Sequence, residues 1–291
     1  MSNETPSGAG WRLARENPKL VLIEVAWRWS FGLATSLLLL LACVNTLKRV
    51  TISDADWAVL RSFDPYKMAN TVAVLVVAYE KLLSLVLAVL LLTLAFLWML
   101  AATWGRAATM KILRGSGNIA VVAGLNLLRI FLLLAAFAVA ALTTAGAAML
   151  ASYFSSDPAE PNLPVYFFIV ILALPVIVVA WAILNWVLSL APLFAAGKQG
   201  VFAALAATFR SLREQRKAFW SVSGVYGTIR GAGLLVVIVF GLALAAVGES
   251  KIALGFLVAL LLLYFFFADL LYVARLAAYL QIIEQTPDPK I

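Results

Sequence analysis

The stretch KQGVFAALAATFRSLREQRKAFWSVSGVYGTIRGAGLLVVIVFGLALAAV, residues 198–247, decides the fold class. In its first half Phe202, Leu205, Phe209 and Leu212 recur three to four residues apart on one helical face, and Arg210, Arg213, Glu214 and Lys217 occupy the other. Such a pattern predicts a basic amphipathic helix lying in a membrane surface, with Arg210, Arg213, Arg216 and Lys217 as contacts for anionic lipid headgroups. Phe219 and Trp220 mark the headgroup level, and residues 221–247 follow with Arg230 as their one charge. A bilayer span needs about 20 apolar residues, so the second half reads as a transmembrane helix.

The rest of the chain is of the same kind. Of its 291 residues 64% are hydrophobic and 12% charged, against about 25% charged in soluble domains, which places the chain in lipid. A net charge of +8 does not by itself imply nucleic acid, because membrane proteins gather Lys and Arg on cytoplasmic loops; no nucleic-acid partner is expected. The absence of histidine removes the commonest general base and metal ligand. Cys43 is alone in an apolar run, which excludes an intrachain disulfide. The metalloprotease, hydrolase and phosphate-loop signatures are missing, and Asp54 and Asp56 read as solvated loop carboxylates. No catalytic residue, cofactor or metal site is therefore expected, and the chain does not read as an enzyme.

Along the chain, residues 1–10 are polar, lack the apolar core of a signal peptide and read as a flexible tail. Six membrane helices are predicted at about 20–44, 82–104, 119–154, 163–194, 221–247 and 252–283, within one domain spanning 11–285 and followed by a short tail at 286–291. Glu24 and Arg28, four residues apart, can pair in the first helix or snorkel separately. The link at 45–70 carries a short interfacial helix around Trp57, Leu60 and Phe63, and Glu80 and Lys81 bound the second span. Arg106, Lys111 and Arg114, with Gly115-Ser116-Gly117, read as a basic loop, residues 155–162 as an acidic one, and Pro175 as a kink in the fourth helix. Counted by side, thirteen Lys and Arg fall with the termini and even loops against five on the other face, which puts both termini in the cytoplasm.

Arg28, Arg129 and Arg230 are separated by 101 residues each, and each follows a basic segment at the start of an odd helix. Three helix-pair repeats are implied, an architectural repeat with little shared sequence. An intramembrane arginine costs about 2.5–3.5 kcal/mol on insertion scales and needs a partner or the headgroups. Arg28, Arg129 and Arg230 with Glu24 and Asp269 therefore form a candidate intramembrane polar site, with Asp269 the natural partner of Arg230 on the helix paired with its own. Gly227 and Gly231 suggest a close helix contact.

The order of basic amphipathic segment, boundary aromatics and span, clearest at Arg210-Ser211-Leu212-Arg213 followed by Phe219-Trp220, resembles the uncharacterised bacterial six-helix membrane families that include the membrane domain of glycerophosphodiester phosphodiesterases. The pattern covers residues 11–283. The resemblance implies an all-α integral membrane domain of a bacterial inner membrane with an accessory role in lipid or envelope physiology; the family's catalytic domain is absent, so no catalytic residue carries over. Two readings stay open. One is a noncatalytic membrane protein that binds anionic lipids, a partner membrane protein or a second copy of itself; the other is a permease for an anionic solute, lined by the three arginines and the Pro175 kink.

Overall fold

The computed structural model describes residues 5–62, 64–155, 161–195, 200–246 and 251–285. Throughout these residues the regular structure is helical: α1 (Pro6–Glu16), α2 (Pro18–Leu47), α3 (Asp54–Leu60), α4 (Pro65–Ala78), α5 (Glu80–Arg114), α6 (Ile119–Tyr153), α7 (Leu163–Leu190) with a 3-10 turn (Ala191–Phe194), α8 (Val201–Glu214), α9 (Arg216–Ala246) and α10 (Lys251–Glu284). Six of these, α2, α5, α6, α7 with its 3-10 turn, α9 and α10, are long and apolar enough to cross a membrane. The helix starts follow local chemistry. Asn118 and Asn162 accept hydrogen bonds from the amides of Val121 and Val165, and Ser53 and Asp56 cap α3 reciprocally. At its far end α5 stops at Arg114, and Gly115 takes φ 70°, a left-handed conformation that a side chain would strain.

The chain divides into two compact units, Met1–Ala26 with Thr103–Ile291, and Trp27–Ala102. In the smaller unit α3 packs on α4, and the Thr51 amide donates to the Tyr79 hydroxyl at 2.9 Å. Its large apolar side chains, Leu33, Val77 and Leu92 among them, point outward, as lipid-facing residues do.

In the larger unit α6 packs along α7 and α9 along α10. Its main core joins Leu20 and Val21 of α2, Met110 of α5, Leu190 and Leu193, Phe219, Val222 and Tyr226 of α9, and Leu271, Val273, Leu276, Tyr279 and Ile282 among others of α10. In α10 the exposed large apolar residues stop at Phe266, and residues beyond it are almost all buried. At 35 residues each, α5 and α6 extend about 52 Å at 1.5 Å per residue, well beyond the ~30 Å of bilayer hydrocarbon. A second, smaller cluster joins Val121 and Leu125 of α6 to Leu188, Ala191 and Ala204, so burial in this unit concentrates in the first turns of α2, α6 and α9 and the last turns of α5, α7 and α10.

Four expectations change. Residues 6–10, read as part of a flexible tail, begin α1: Thr5 caps it, Pro6 suits its first position, and Ala9, Gly10 and Ala14 are buried against neighbouring helices. The second predicted span continues ten residues past 104 to Arg114, because Ala, Met, Lys, Ile and Leu sustain a helix with or without lipid, so Arg106 and Lys111 are helical rather than in a loop. Part of the polar link and the apolar run after it form a separate helix, α4, and Glu80 opens α5, where a carboxylate is favoured by the helix dipole. The basic amphipathic helix ends at Glu214 and turns on Gln215, which leaves Arg216 and Lys217 in the first turn of α9. Phe63, the loop acids Asp157 and Glu160, and the 286–291 tail lie outside the described residues.

Candidate polar and lipid-facing sites

The core of the larger unit carries charge. Glu24 is fully buried, at 0% exposure, and its Oε2 accepts a hydrogen bond from Thr109 Oγ1 at 3.2 Å. The Thr109 hydroxyl also meets the Gly105 carbonyl one turn back. Between α5 and α6, Asn126 Nδ2 donates to Thr103 Oγ1 at 3.1 Å. These bonds answer the rule that buried polar groups must find partners, and they tie the end of α5 to the starts of α2 and α6.

Of the residues read as an intramembrane polar site, Glu24, Arg129 and Asp269 are buried in this unit. Arg230 is exposed, and no ion pair joins it to Asp269 among the described residues. Arg28 belongs to the smaller unit, where its guanidinium lies 5.3 Å from the Trp27 ring. The three arginines therefore differ in their surroundings. One and two turns earlier the correspondence is closer: Leu20 and Glu24, Val121 and Leu125, and Val222 and Tyr226, each set 101 residues from the next, are all buried. Gly227 and Gly231 have open space where a side chain would project, so the expected close contact there is not made among the described residues.

The most unusual charged group was not foreseen. Arg106 of α5, 6% exposed, donates from Nη1 to the Tyr272 hydroxyl, and its guanidinium lies 5.1 Å from the centre of the Tyr272 ring. Arg275, one turn along α10, lies 5.5 Å from the same ring. A signal for this face existed in the sequence: Thr103, Arg106 and Thr109 recur every three residues on α5, as do Asp269, Tyr272 and Arg275 on α10. Nearby, Arg114 donates to the Leu193 carbonyl in the 3-10 turn.

A second feature is α8. Its small face, Ala204 and Thr208, is buried, seating it against α6 and the 3-10 turn, while Leu205 and Leu212 are half-buried. Phe202, 84% exposed, and Phe209 point outward, beside exposed Arg210 and Arg213. Phe209, Arg210, Arg213 and Glu214 line an open depression of about 610 Å³. Exposed Arg216, Lys217 and Trp220 continue this surface onto α9. The sequence pattern had put both phenylalanines on one face with Leu205 and Leu212; the small residues take the packed side because they allow the closer approach. Among the described residues, no group of three or more His, Cys, Asp or Glu side chains is placed to hold a metal ion.

No protein-family model, curated protein or solved structure matches the chain. Fold and function therefore rest on the residues themselves.

That no ion pair joins Arg230 to Asp269 among the described residues has a measurable consequence. Asp269→Asn and Arg230→Gln should be additive in detergent stability to within about 0.5 kcal/mol, as expected of charges that do not pair. A coupling above about 1 kcal/mol in the double-mutant cycle would show that the two charges meet.

Proposed function

We propose that this chain is a noncatalytic multi-pass protein of a bacterial inner membrane that binds anionic lipid headgroups on its cytoplasmic side. In this reading six spans form three helix pairs, with both termini in the cytoplasm. The outward set of Phe202, Phe209 and Trp220 interleaved with Arg210, Arg213, Arg216 and Lys217 carries the proposal. Exposed aromatic rings beside cations suit the boundary between acyl chains and phosphates, where rings enter the apolar layer and guanidinium groups meet headgroups. Arg216 and Lys217 sit in the first turn of α9, where the helix dipole disfavours cations, and a bound phosphate relieves that conflict. The matched burial at 101-residue spacing supports the three-pair repeat, and the Lys and Arg bias supports the orientation. An accessory role in lipid or envelope physiology agrees with the resemblance to phosphodiesterase membrane domains.

The test is native mass spectrometry of gently extracted protein offered phosphatidylglycerol and phosphatidylcholine in equal amounts. Phosphatidylglycerol should be retained selectively, and each of Arg210→Gln, Arg213→Gln and Arg216→Gln should weaken retention by about fivefold. Equal retention of both lipids would sink the reading. The alternative, a permease for an anionic solute, draws on buried Arg129 within an apolar helix. Saturable uptake of such a solute into liposomes, abolished by Arg129→Gln, would establish it instead.

A further inference from the structure

We infer that Arg106 and Arg275, both set against Tyr272, form a seat for a phosphate group. The site is separate from α8 and does not depend on the lipid-surface reading. Arg106 is buried and Arg275 half-buried. The Nε atoms of both are buried and make no hydrogen bond, and neither guanidinium has an ion-pair partner among the described residues. Tyr272 satisfies them in part, through its hydroxyl for Arg106 and its ring for both. Two cations on one ring repel each other, and a withdrawn guanidinium with unused donors is costly. An anion that reaches both resolves the two penalties together.

The chemistry of that anion follows from the donors. A guanidinium presents a planar fork that matches two oxygens of a phosphate, and a doubly charged phosphate has oxygens enough for two forks. A single carboxylate neutralises only one of them. Phosphate can arrive as the free ion or on a phosphomonoester lipid, and the same two arginines would recognise either.

The experiment uses the full chain in detergent, exchanged into phosphate-free buffer. In the first arm, inorganic phosphate is titrated against chloride at matched ionic strength while thermal unfolding is followed. In the second, native mass spectrometry compares phosphatidic acid with diacylglycerol, in an Arg210→Gln/Arg213→Gln background that disables α8. Saturable stabilisation by inorganic phosphate identifies the free ion as a ligand; selective retention of phosphatidic acid without it identifies the lipid. In either case Arg275→Gln should weaken binding by about tenfold or more, the loss expected for charge-assisted hydrogen bonds. Arg275 is the more open of the two, which makes it the deciding variant, and Arg275→Lys should recover only part of the affinity because lysine lacks the fork. The seat is refuted if neither phosphate form binds, or if Arg275→Gln binds either as well as the unmodified chain.

Discussion

Tyr279→Ala is expected to lower unfolding stability by about 3–5 kcal/mol from the lost ring alone, at the upper end of single-site effects. Tyr279 is completely buried, and its ring centre lies 5.4 Å from that of Phe219. Its hydroxyl meets Trp186 Nε1 at 3.1 Å and Ser223 Oγ at 2.6 Å. One side chain therefore joins α7, α9 and α10, and its removal leaves a cavity and an indole donor without its acceptor, while Ser223 keeps its hydrogen bond to the Phe219 carbonyl at 2.8 Å. Tyr279→Phe separates the contributions: it keeps the packing, loses both hydrogen bonds and should cost about 1–3 kcal/mol. Unfolding in detergent can be followed by tryptophan emission, since Trp186 stacks near Trp220, 5.4 Å between ring centres. A loss below about 1 kcal/mol for Tyr279→Ala would mean that the three helices are held by other contacts.

Gly10→Leu should detach α1. A Cβ at this position would lie 2.4 Å from the Ala274 carbonyl oxygen and 2.7 Å from the Ala278 backbone nitrogen, atoms that cannot move aside without shifting α10. Overpacking of this sort costs about 1–3 kcal/mol or more. The undocked helix would also give up the hydrogen bond from the Tyr226 hydroxyl to the Ser7 carbonyl, 2.8 Å long. Trypsin reports the change directly, because Arg12 and Arg15 face outward while their backbone is held in the docked helix. Cleavage there should become much faster in Gly10→Leu and stay unchanged in Gly32→Leu, where an added Cβ meets nothing within 4 Å. Unaltered cleavage in Gly10→Leu would show that α1 is not held by this contact.

The six spans were legible because an apolar run of bilayer length leaves few alternatives, and their ends were less so. A charge after an apolar run usually marks the interface, so Arg106 suggests a loop, yet helix formation needs no lipid and α5 continues to Arg114. A count of Lys and Arg by side includes Arg106 and cannot tell an arginine that snorkels from one buried against Tyr272. For α1 the difficulty was different. Its packed face is Ala9, Gly10 and Ala14, residues too small to stand out in a hydrophobic pattern, and only the neighbouring Ala274 and Ala278 give them meaning. Glu24, by contrast, stands out in the sequence as an acid in an apolar run, with Arg28 one turn on as a local partner or both snorkelling separately; its hydrogen bond to Thr109 crosses 85 positions that no local pattern spans.

The docking of α1 on α10 also bears on how the protein is made. The bond between Ser7 and Tyr226 joins positions 219 residues apart, and α10 emerges from the ribosome after both. During synthesis α1 must therefore wait, its small-residue face uncovered, while all the other spans are threaded into the bilayer. A nascent chain arrested before α10 therefore leaves that face without the Ala274 and Ala278 surface on which it packs in the complete chain.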